Sequence, residues 1–302
     1  MNYDIAIIGG GAAGLSAAIY SARAAMRTAL FESTACGGQV FLTDRVDNYL
    51  ALPDIGGAEL CEKMLAHAKM YDCDFKYEGV RRILPEDGGY RLITRKNEYT
   101  ARAVILAAGA KPRRLGVPGE SELGGAGVSY CATCDGAFFR GKTAIVAGGG
   151  STAFEDALYL SAICNKVYLV NRSEKFRAAE ILVKKARNTD NIEIKTSCRI
   201  TEILGSGSVS GAMLEHADKT AEKLAADAVF IAVGRLPESS LLQGLADLAE
   251  DGSVICDERL QASRAGIFAA GDVRKTPLRQ IITAAADGAL AANSAAAYVR
   301  SL

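Results

Sequence analysis

The sequence predicts an α/β protein of two nucleotide-binding domains, each a three-layer β/β/α unit, with the second inserted into the first. Three observations carry this expectation. A β-rich run, a glycine cluster, an Ala-rich amphipathic stretch and a second β-rich run occur twice: as DIAIIGGGAAGLSAAIYSARAAMRTALFE from Asp4, and as TAIVAGGGSTAFEDALYLSAICNKVYLV from Thr143. At each glycine cluster an apolar period of two gives way to a period of three to four, which marks a βαβ unit opening a parallel sheet of Rossmann-like type. Two further apolar runs, Arg102–Ala108 and Ala228–Val233, leave their sheets through glycine and proline, so the chain crosses between domains at both.

The bounds set by composition agree. A chain of 302 residues, 49% of them hydrophobic, can build two cores. Lysine and arginine together number 35, as do aspartate and glutamate, so no long-range field draws the protein to nucleic acid or to an anionic membrane. A small ligand or a protein partner fits better. The opening MNYDIAIIGGG carries no basic leader, and the apolar run Ile5 to Ile8 is too short for a signal peptide or a membrane span. Asp287 and Asn293 interrupt the Ala-rich tail from Ile281 to Val299. The expected location is cytoplasmic.

In the first domain, Gly9, Gly11 and Gly14 form G-x-G-x-x-G between a strand and a helix, with Ala13 inside the motif. Missing side chains there let the backbone approach a pyrophosphate. Glu32 closes the second strand at the offset of about 20 residues expected of a ribose-binding carboxylate. Residues 1–112 form the first part of this domain. GIFAAGDV from Gly266 reads as a buried strand that returns to its sheet, so residues 237–302 complete it.

Residues 113–236 form the inserted domain. Gly148, Gly150 and Ala153 make the G-x-G-x-x-A variant, with Ser151 and Thr152 at the helix start, and imply a second dinucleotide. The strand that follows ends in Asn171-Arg172-Ser173, with Arg177 shortly after and no carboxylate in the ribose position. Arginine can neutralise a 2′-phosphate that a carboxylate would repel, which favours NADPH over NADH. The alternative is that Arg172 and Arg177 are solvated surface charges.

Before the second cluster stands Cys131-Ala132-Thr133-Cys134-Asp135-Gly136. Zinc needs four ligands as a rule, yet there is no second C-x-x-C, and His67 and His216 lie far away in sequence. A structural disulfide is disfavoured in a reducing cytosol. An inert thiol pair stands as the other alternative, and the redox reading has a direct rationale: the spacing permits a reversible disulfide, and a nearby helix terminus or base can lower a thiol pKa. Asp135 could shuttle the proton of thiol exchange or cap a helix, and the two roles can coexist. The remaining cysteines, Cys36, Cys61, Cys73, Cys164, Cys198 and Cys256, read as reduced fillers.

With these residues in hand, the chain resembles the low-molecular-weight thioredoxin reductases, FAD-dependent pyridine nucleotide-disulfide oxidoreductases of bacteria, over essentially its whole length. The matching marks are GGGAAG at Gly9, GGQ at Gly37, Asp47-Asn48-Tyr49, CATCDG at Cys131, GGGSTA at Gly148, AAGDV and PLRQI. The larger glutathione-reductase relatives carry their redox cysteines in the FAD domain and add a C-terminal dimerisation domain. The resemblance implies FAD contacts from Gly9, Gly11, Ala13, Gly14, Glu32, Gly38, Gln39, Asn48, Gly271, Asp272, Arg279, Gln280 and Ile281. Asp272 can accept hydrogen bonds from ribityl hydroxyls, and the helix starting near Arg279 would aim its positive end at a flavin. The resemblance further implies that Cys134 faces the flavin, that Cys131 attacks the disulfide of thioredoxin, that Asp135 is the acid/base group, and that the protein is a homodimer. The family pattern has histidine and paired arginines where this chain has Asn171, Arg172 and Ser173, so NADH or reduced ferredoxin stand as alternative donors to NADPH.

The implied route runs from nicotinamide to FAD to the Cys131/Cys134 pair to a protein disulfide. Because the dithiol and the second nucleotide share one domain, they would compete for the flavin unless that domain turns about hinges near Gly109–Val117 and Val233–Glu238. The rival readings are a flavin dithiol oxidase passing electrons to oxygen, the reductase module of a peroxide-reducing system, and a non-enzymatic flavin-binding redox sensor.

Overall fold

A computed structural model describes residues 2–43 and 45–302. The chain divides into two compact units, the first running to Lys111 and resuming from Leu236 to Leu302, the second spanning Pro112–Arg235.

The first unit contains β1 (Tyr3–Ile8), α1 (Ala12–Arg23), β2 (Thr28–Phe31), α2 (Gly57–Ala68), β3 (Asp74–Lys76), β4 (Arg82–Glu86), β5 (Gly89–Ile93) and β6 (Glu98–Leu106). β7 (Ala110–Pro112) then leads out of it. The strands β3, β2, β1 and β6 are parallel neighbours, and β5 and β4 continue the sheet as an antiparallel meander. Alternation along β1 builds two faces. Ile5 and Ile7 pack with Leu15, Ala17 and Ala18 of α1, whereas Ala6 and Ile8 pack with Ile83, Tyr90 and Leu92 of the meander.

The second unit contains β8 (Val128–Ser129), α3 (Ala132–Asp135), β9 (Thr143–Ala147), α4 (Ser151–Ser161), β10 (Lys166–Val170), α5 (Glu180–Arg187) and β11 (Ile192–Lys195). β12 (Cys198–Gly205), β13 (Val209–His216), β14 (Ala221–Ala225) and β15 (Ala228–Ile231) follow. A parallel sheet in the order β11-β10-β9-β15-β8 lies between two layers. Ala144, Val146 and Phe230 meet Phe154, Ala157 and Leu160 of α4 on one face. Ile145, Ala147, Val229 and Ile231 meet the antiparallel β12–β13–β14 sheet on the other. Phe154 and Phe230 are fully covered, each worth roughly 1.5–3 kcal/mol of transfer free energy.

β16 (Arg235–Pro237) leads back and pairs with β7, so outgoing and returning segments form a two-stranded ribbon. The Arg113 N–H donates to Gly234 O at 3.0 Å at one end, and the Glu238 N–H donates to Gly109 O at 2.9 Å at the other. Within the first unit, β17 (Ile267–Ala269) joins the sheet parallel to β6, as the buried run after Gly266 leads one to expect. α6 (Ile281–Arg300) then covers the sheet beside α1. Its alanines permit a close approach: Ala291, Ala292, Ala295 and Ala296 are buried, and a Cβ on Gly288 would fall 2.0 Å from the Ala13 carbonyl oxygen. Among the described residues no helix is long and apolar enough to cross a membrane.

Candidate functional site

In the first unit the glycine turn leaves the end of β1 in a backbone state closed to other residues. Gly9 has φ +108°, and a Cβ there would meet Ala107 O at 2.4 Å; one on Gly14 would fall 1.8 Å from Gly9 O. Gly11 is different. Nothing lies within 4 Å of its Cβ position, and as N-cap of α1 it offers the first N–H groups of the helix no side-chain acceptor. Ala13 is buried just inside the helix.

Glu32 follows β2 and is fixed by its own loop. Its Oε2 accepts the Gly10 N–H at 2.8 Å and its Oε1 accepts the Thr34 N–H at 2.9 Å. The segment after it docks on the same turn: the Gly37 N–H donates to Gly10 O at 2.8 Å, and Gly38, at φ +59°, places its Cβ position 3.4 Å from Gly11 Cα. Gln39 next to it is exposed.

Distant segments of the unit meet here. Gly271, at φ +76°, would bring a Cβ within 3.1 Å of Ala13 Cβ, so Asp272 and the turn that holds it sit against the start of α1. Asn48 Nδ2 donates to Gln280 Oε1 at 3.1 Å. Gln280 caps α6 through a reciprocal box with Thr283, which places Ile281 at the first helical position. Arg279 Nε is buried with no hydrogen-bond partner. An orphaned guanidinium nitrogen, an uncapped helix start and an oriented carboxylate are what a bound dinucleotide would satisfy, so these residues fit FAD.

The second unit repeats the device at β9. A Cβ on Gly148, at φ +153°, would meet Ala232 O at 2.4 Å, whereas Gly150 faces open space as N-cap of α4. Ala153 is buried, Thr152 is exposed, and Ser151 Oγ accepts the Ala179 N–H at 3.2 Å. Asn171 turns inward. It is buried, its Nδ2 donates to Ser173 O at 2.7 Å and to Lys175 O at 3.2 Å, and its Oδ1 lies 2.3 Å from the Cβ position of Gly149. The Arg177 N–H donates to Gly149 O at 2.8 Å, which lays the loop across the glycine turn and leaves Arg172 and Arg177 exposed. This second uncapped helix start fits a pyridine nucleotide.

Cys131 and Cys134 form a disulfide with a Cα–Cα distance of 5.3 Å, and both are half-buried. The turn that carries them is anchored on the core of the second unit. Ala132 is buried, Phe139 meets Phe230 edge-on at 5.7 Å, and Gly136 packs so closely on α4 that a Cβ would come 2.9 Å from Leu160 and 3.0 Å from Tyr159. The segment that carries the dithiol therefore packs on the C-terminal turn of α4, the helix whose other end meets the second glycine turn. The Asp135 carboxylate accepts the Ser129 hydroxyl at 2.5 Å, and the same Ser129 Oγ accepts the Cys131 N–H at 3.1 Å. Asp135 supplies no side-chain cap to the turn that follows it.

The six other cysteines are free. Burial raises the thiols of Cys36 and Cys61 to about 11 and that of Cys73 to about 12, so these are poor nucleophiles at neutral pH. Sequence reasoning overlooked Ser129, and also Asp287, whose Oδ2 accepts the Gly271 N–H at 3.0 Å. No local motif marks either one. An aspartate in the interior of an alanine helix was the available signal for the second.

Comparison with known proteins adds an independent line. The sequence profile of a family described as pyridine nucleotide-disulphide oxidoreductase matches residues 3–288. The chain is 43% identical to a thioredoxin reductase of Treponema pallidum, over 100% of its own length and 98% of the relative's. It is 41% identical to a thioredoxin reductase of Bacillus subtilis, over 99% and 96%. Among solved structures, a thioredoxin reductase from Streptococcus pyogenes superposes with a TM-score of 0.94 at 38% identity, covering 100% of both chains. One from Giardia duodenalis does so with a TM-score of 0.94 at 36% identity, covering 99% of both.

Proposed function

The chain belongs to the pyridine nucleotide-disulphide oxidoreductase family, and from that premise we propose that it is a thioredoxin reductase, taking electrons from NADPH through FAD and the Cys131/Cys134 pair to thioredoxin. The single observation that carries the reading is the Cys131–Cys134 disulfide, in a unit that also holds the second glycine turn.

In this reading FAD is held by the turn at Gly9, Gly11, Ala13 and Gly14, by Glu32, by Gly38, Gln39 and Asn48, and by Gly271, Asp272, Arg279, Gln280 and Ile281. Glu32 accepts a ribose hydroxyl, and the Arg279 guanidinium finds in the cofactor the partner its buried Nε lacks. When bound, FAD supplies a two-electron relay between the reduced nicotinamide and the disulfide. The nucleotide lies on Gly148, Gly150, Ser151, Thr152 and Ala153. Asn171 shapes the loop that follows, while Arg172 and Arg177 offer charge to a 2′-phosphate.

The chemistry of this chain's own residues starts from the reduced pair. The Cys131 thiolate attacks one sulfur of the thioredoxin disulfide, forming a mixed disulfide and expelling the other sulfur as a thiolate. Cys134, losing its proton to Asp135, attacks Cys131 Sγ, which restores the intramolecular disulfide and releases the second thioredoxin thiolate. Two protons complete the thioredoxin dithiol, one of them passed back by Asp135. Ser129, donating to the Asp135 carboxylate and accepting from the Cys131 N–H, keeps the acid and the redox turn in register.

The test is NADPH oxidation by the FAD-loaded protein on addition of oxidised thioredoxin. Turnover that vanishes in the Cys131→Ser/Cys134→Ser double variant is the expected result. Turnover that survives in that variant, or rapid oxygen consumption without any disulfide acceptor, would overturn it.

A further inference from the structure

We propose that Lys175 is the third cation of a 2′-phosphate cradle formed with Arg172 and Arg177, and that it rather than Ser173 supplies the charge setting the preference for a 2′-phosphorylated dinucleotide. The inference rests on the reading above that the second unit holds NADPH.

The loop after β10 is fixed at four points. Asn171, buried at its start, ties down the carbonyl oxygens of Ser173 and Lys175 with its one amide group. Phe176 stands edge-on to Phe154 of α4 at 5.0 Å, and the Arg187 guanidinium covers its ring at 6.0 Å. The Arg177 N–H is bonded to Gly149 O, and the Ala179 N–H to Ser151 Oγ. Each cation adjoins one of these fixed points: Arg172 follows Asn171, and Lys175 and Arg177 flank Phe176. The Lys175 carbonyl is held inward by Asn171 while the residue itself is exposed, on a loop that Asn171 and the Arg177 N–H tie to Gly149 of the second glycine turn, where a dinucleotide pyrophosphate would lie.

Charge decides between the candidates. Ser173 can offer a phosphate only a neutral hydrogen bond, whereas an ammonium adds a full charge and three donors. Among the described residues no carboxylate pairs with Arg172, Lys175 or Arg177, so none of the three is neutralised within the protein. Glu174 is the lone acid of the segment from Arg172 to Arg177, which keeps the loop net positive. A carboxylate that could grip a free 2′-hydroxyl is missing from the end of β10, where the buried Asn171 is committed to the loop backbone.

The test is calorimetric titration of the full-length, FAD-loaded protein with adenosine 2′,5′-bisphosphate and with adenosine 5′-monophosphate, which differ only in the 2′-phosphate. The wild type should bind the bisphosphate more tightly. Lys175→Ala should weaken bisphosphate binding by about five- to tenfold, the worth of one solvent-screened charged contact, and leave the monophosphate unchanged. Its salt dependence should flatten, and Lys175→Arg should retain the wild-type preference. If Lys175→Ala keeps the wild-type ratio of affinities, Lys175 is a bystander even though the NADPH reading stands. If the wild type itself binds the two nucleotides equally, the NADPH reading fails first and the cradle with it.

Discussion

Arg274 holds Asp287 through two hydrogen bonds, Nε to Oδ2 at 2.6 Å and Nη2 to Oδ1 at 2.8 Å, while the same Oδ2 accepts the backbone N–H of Gly271. An acid from the second turn of α6 thus pins both ends of the short turn that carries Asp272, the proposed ribityl contact. Side-chain exposure is only 19% for Arg274 and 12% for Asp287, so neither charge can regain its hydration if the other is lost. Asp287→Ala should lower the stability of the first unit by about 3 kcal/mol, the scale of breaking a buried pair from one side. The double change Arg274→Met/Asp287→Leu should recover most of that loss but not FAD affinity, since the Gly271 N–H would still lack its acceptor. Denaturant unfolding and flavin fluorescence measure the two effects separately, and parallel recovery of both would mean that the pair has no positioning role.

This pair also shows where sequence reasoning stops. The βαβ units were legible because glycine clusters and a change of period are local signals, and the return of β17 to β6 followed from what the first sheet still lacked. The antiparallel layers, β4–β5 in one unit and β12–β14 in the other, carry no such motif, being short strands whose partners are chosen by packing on the sheet beneath. Site residues inside motifs, such as Gly9, Glu32, Cys131 and Gly148, could be named from spacing. Those acting through tertiary contact could not: Ser129 reaches Asp135 across a turn, and Asp287 reaches Gly271 across sixteen residues. Asn171 was legible as a position but not in orientation, because only the fold places its amide under the loop.

The Ser129–Asp135 contact predicts a graded pair of effects on thiol exchange. Asp135→Asn removes the proton acceptor and should slow reduction of thioredoxin by about 100-fold, the lower range for a general acid–base group. Ser129→Ala leaves the carboxylate in place but withdraws its donor, so a smaller loss is expected, together with a displaced pH–rate profile. Rapid-reaction kinetics from pH 6 to 9 would show both. A Ser129→Ala profile superimposable on the wild type would leave Ser129 with only its backbone contact to Cys131.

The first glycine turn predicts opposite outcomes for two substitutions three residues apart. Gly14→Ala would press a methyl group into Gly9 O, where backbone cannot yield cheaply, so a loss of about 3 kcal/mol or failure to fold is expected. Gly11→Ala meets nothing within 4 Å, and its unfolding should stay within about 1 kcal/mol of the wild type. Its methyl group would instead stand in the open space in front of α1, and FAD binding should weaken by an order of magnitude or more. Unfolding curves and flavin content of the two purified variants separate these cases. Full flavin retention in Gly11→Ala would move the pyrophosphate away from this turn.

Asp156, on α4, gives a prediction in pH. Burial raises its carboxyl from 3.8 to about 7, with Glu155 adding to the shift and Arg235 opposing it. Between about pH 4 and 7 the unfolded chain has released this proton while the folded protein keeps it, so the folded state binds more protons and stability falls as pH rises through that window. Above pH 7 both states are ionised, and the contribution levels off at its least favourable value. Asparagine mimics the neutral acid in shape and polarity without titrating. Asp156→Asn should therefore melt with the wild type near pH 4 and progressively above it as the pH climbs to 7, the gap then staying constant to pH 9. Calorimetric melting temperatures across this range measure the difference. A gap that does not change with pH would show that Arg235 outweighs the desolvation and holds Asp156 ionised in the folded protein.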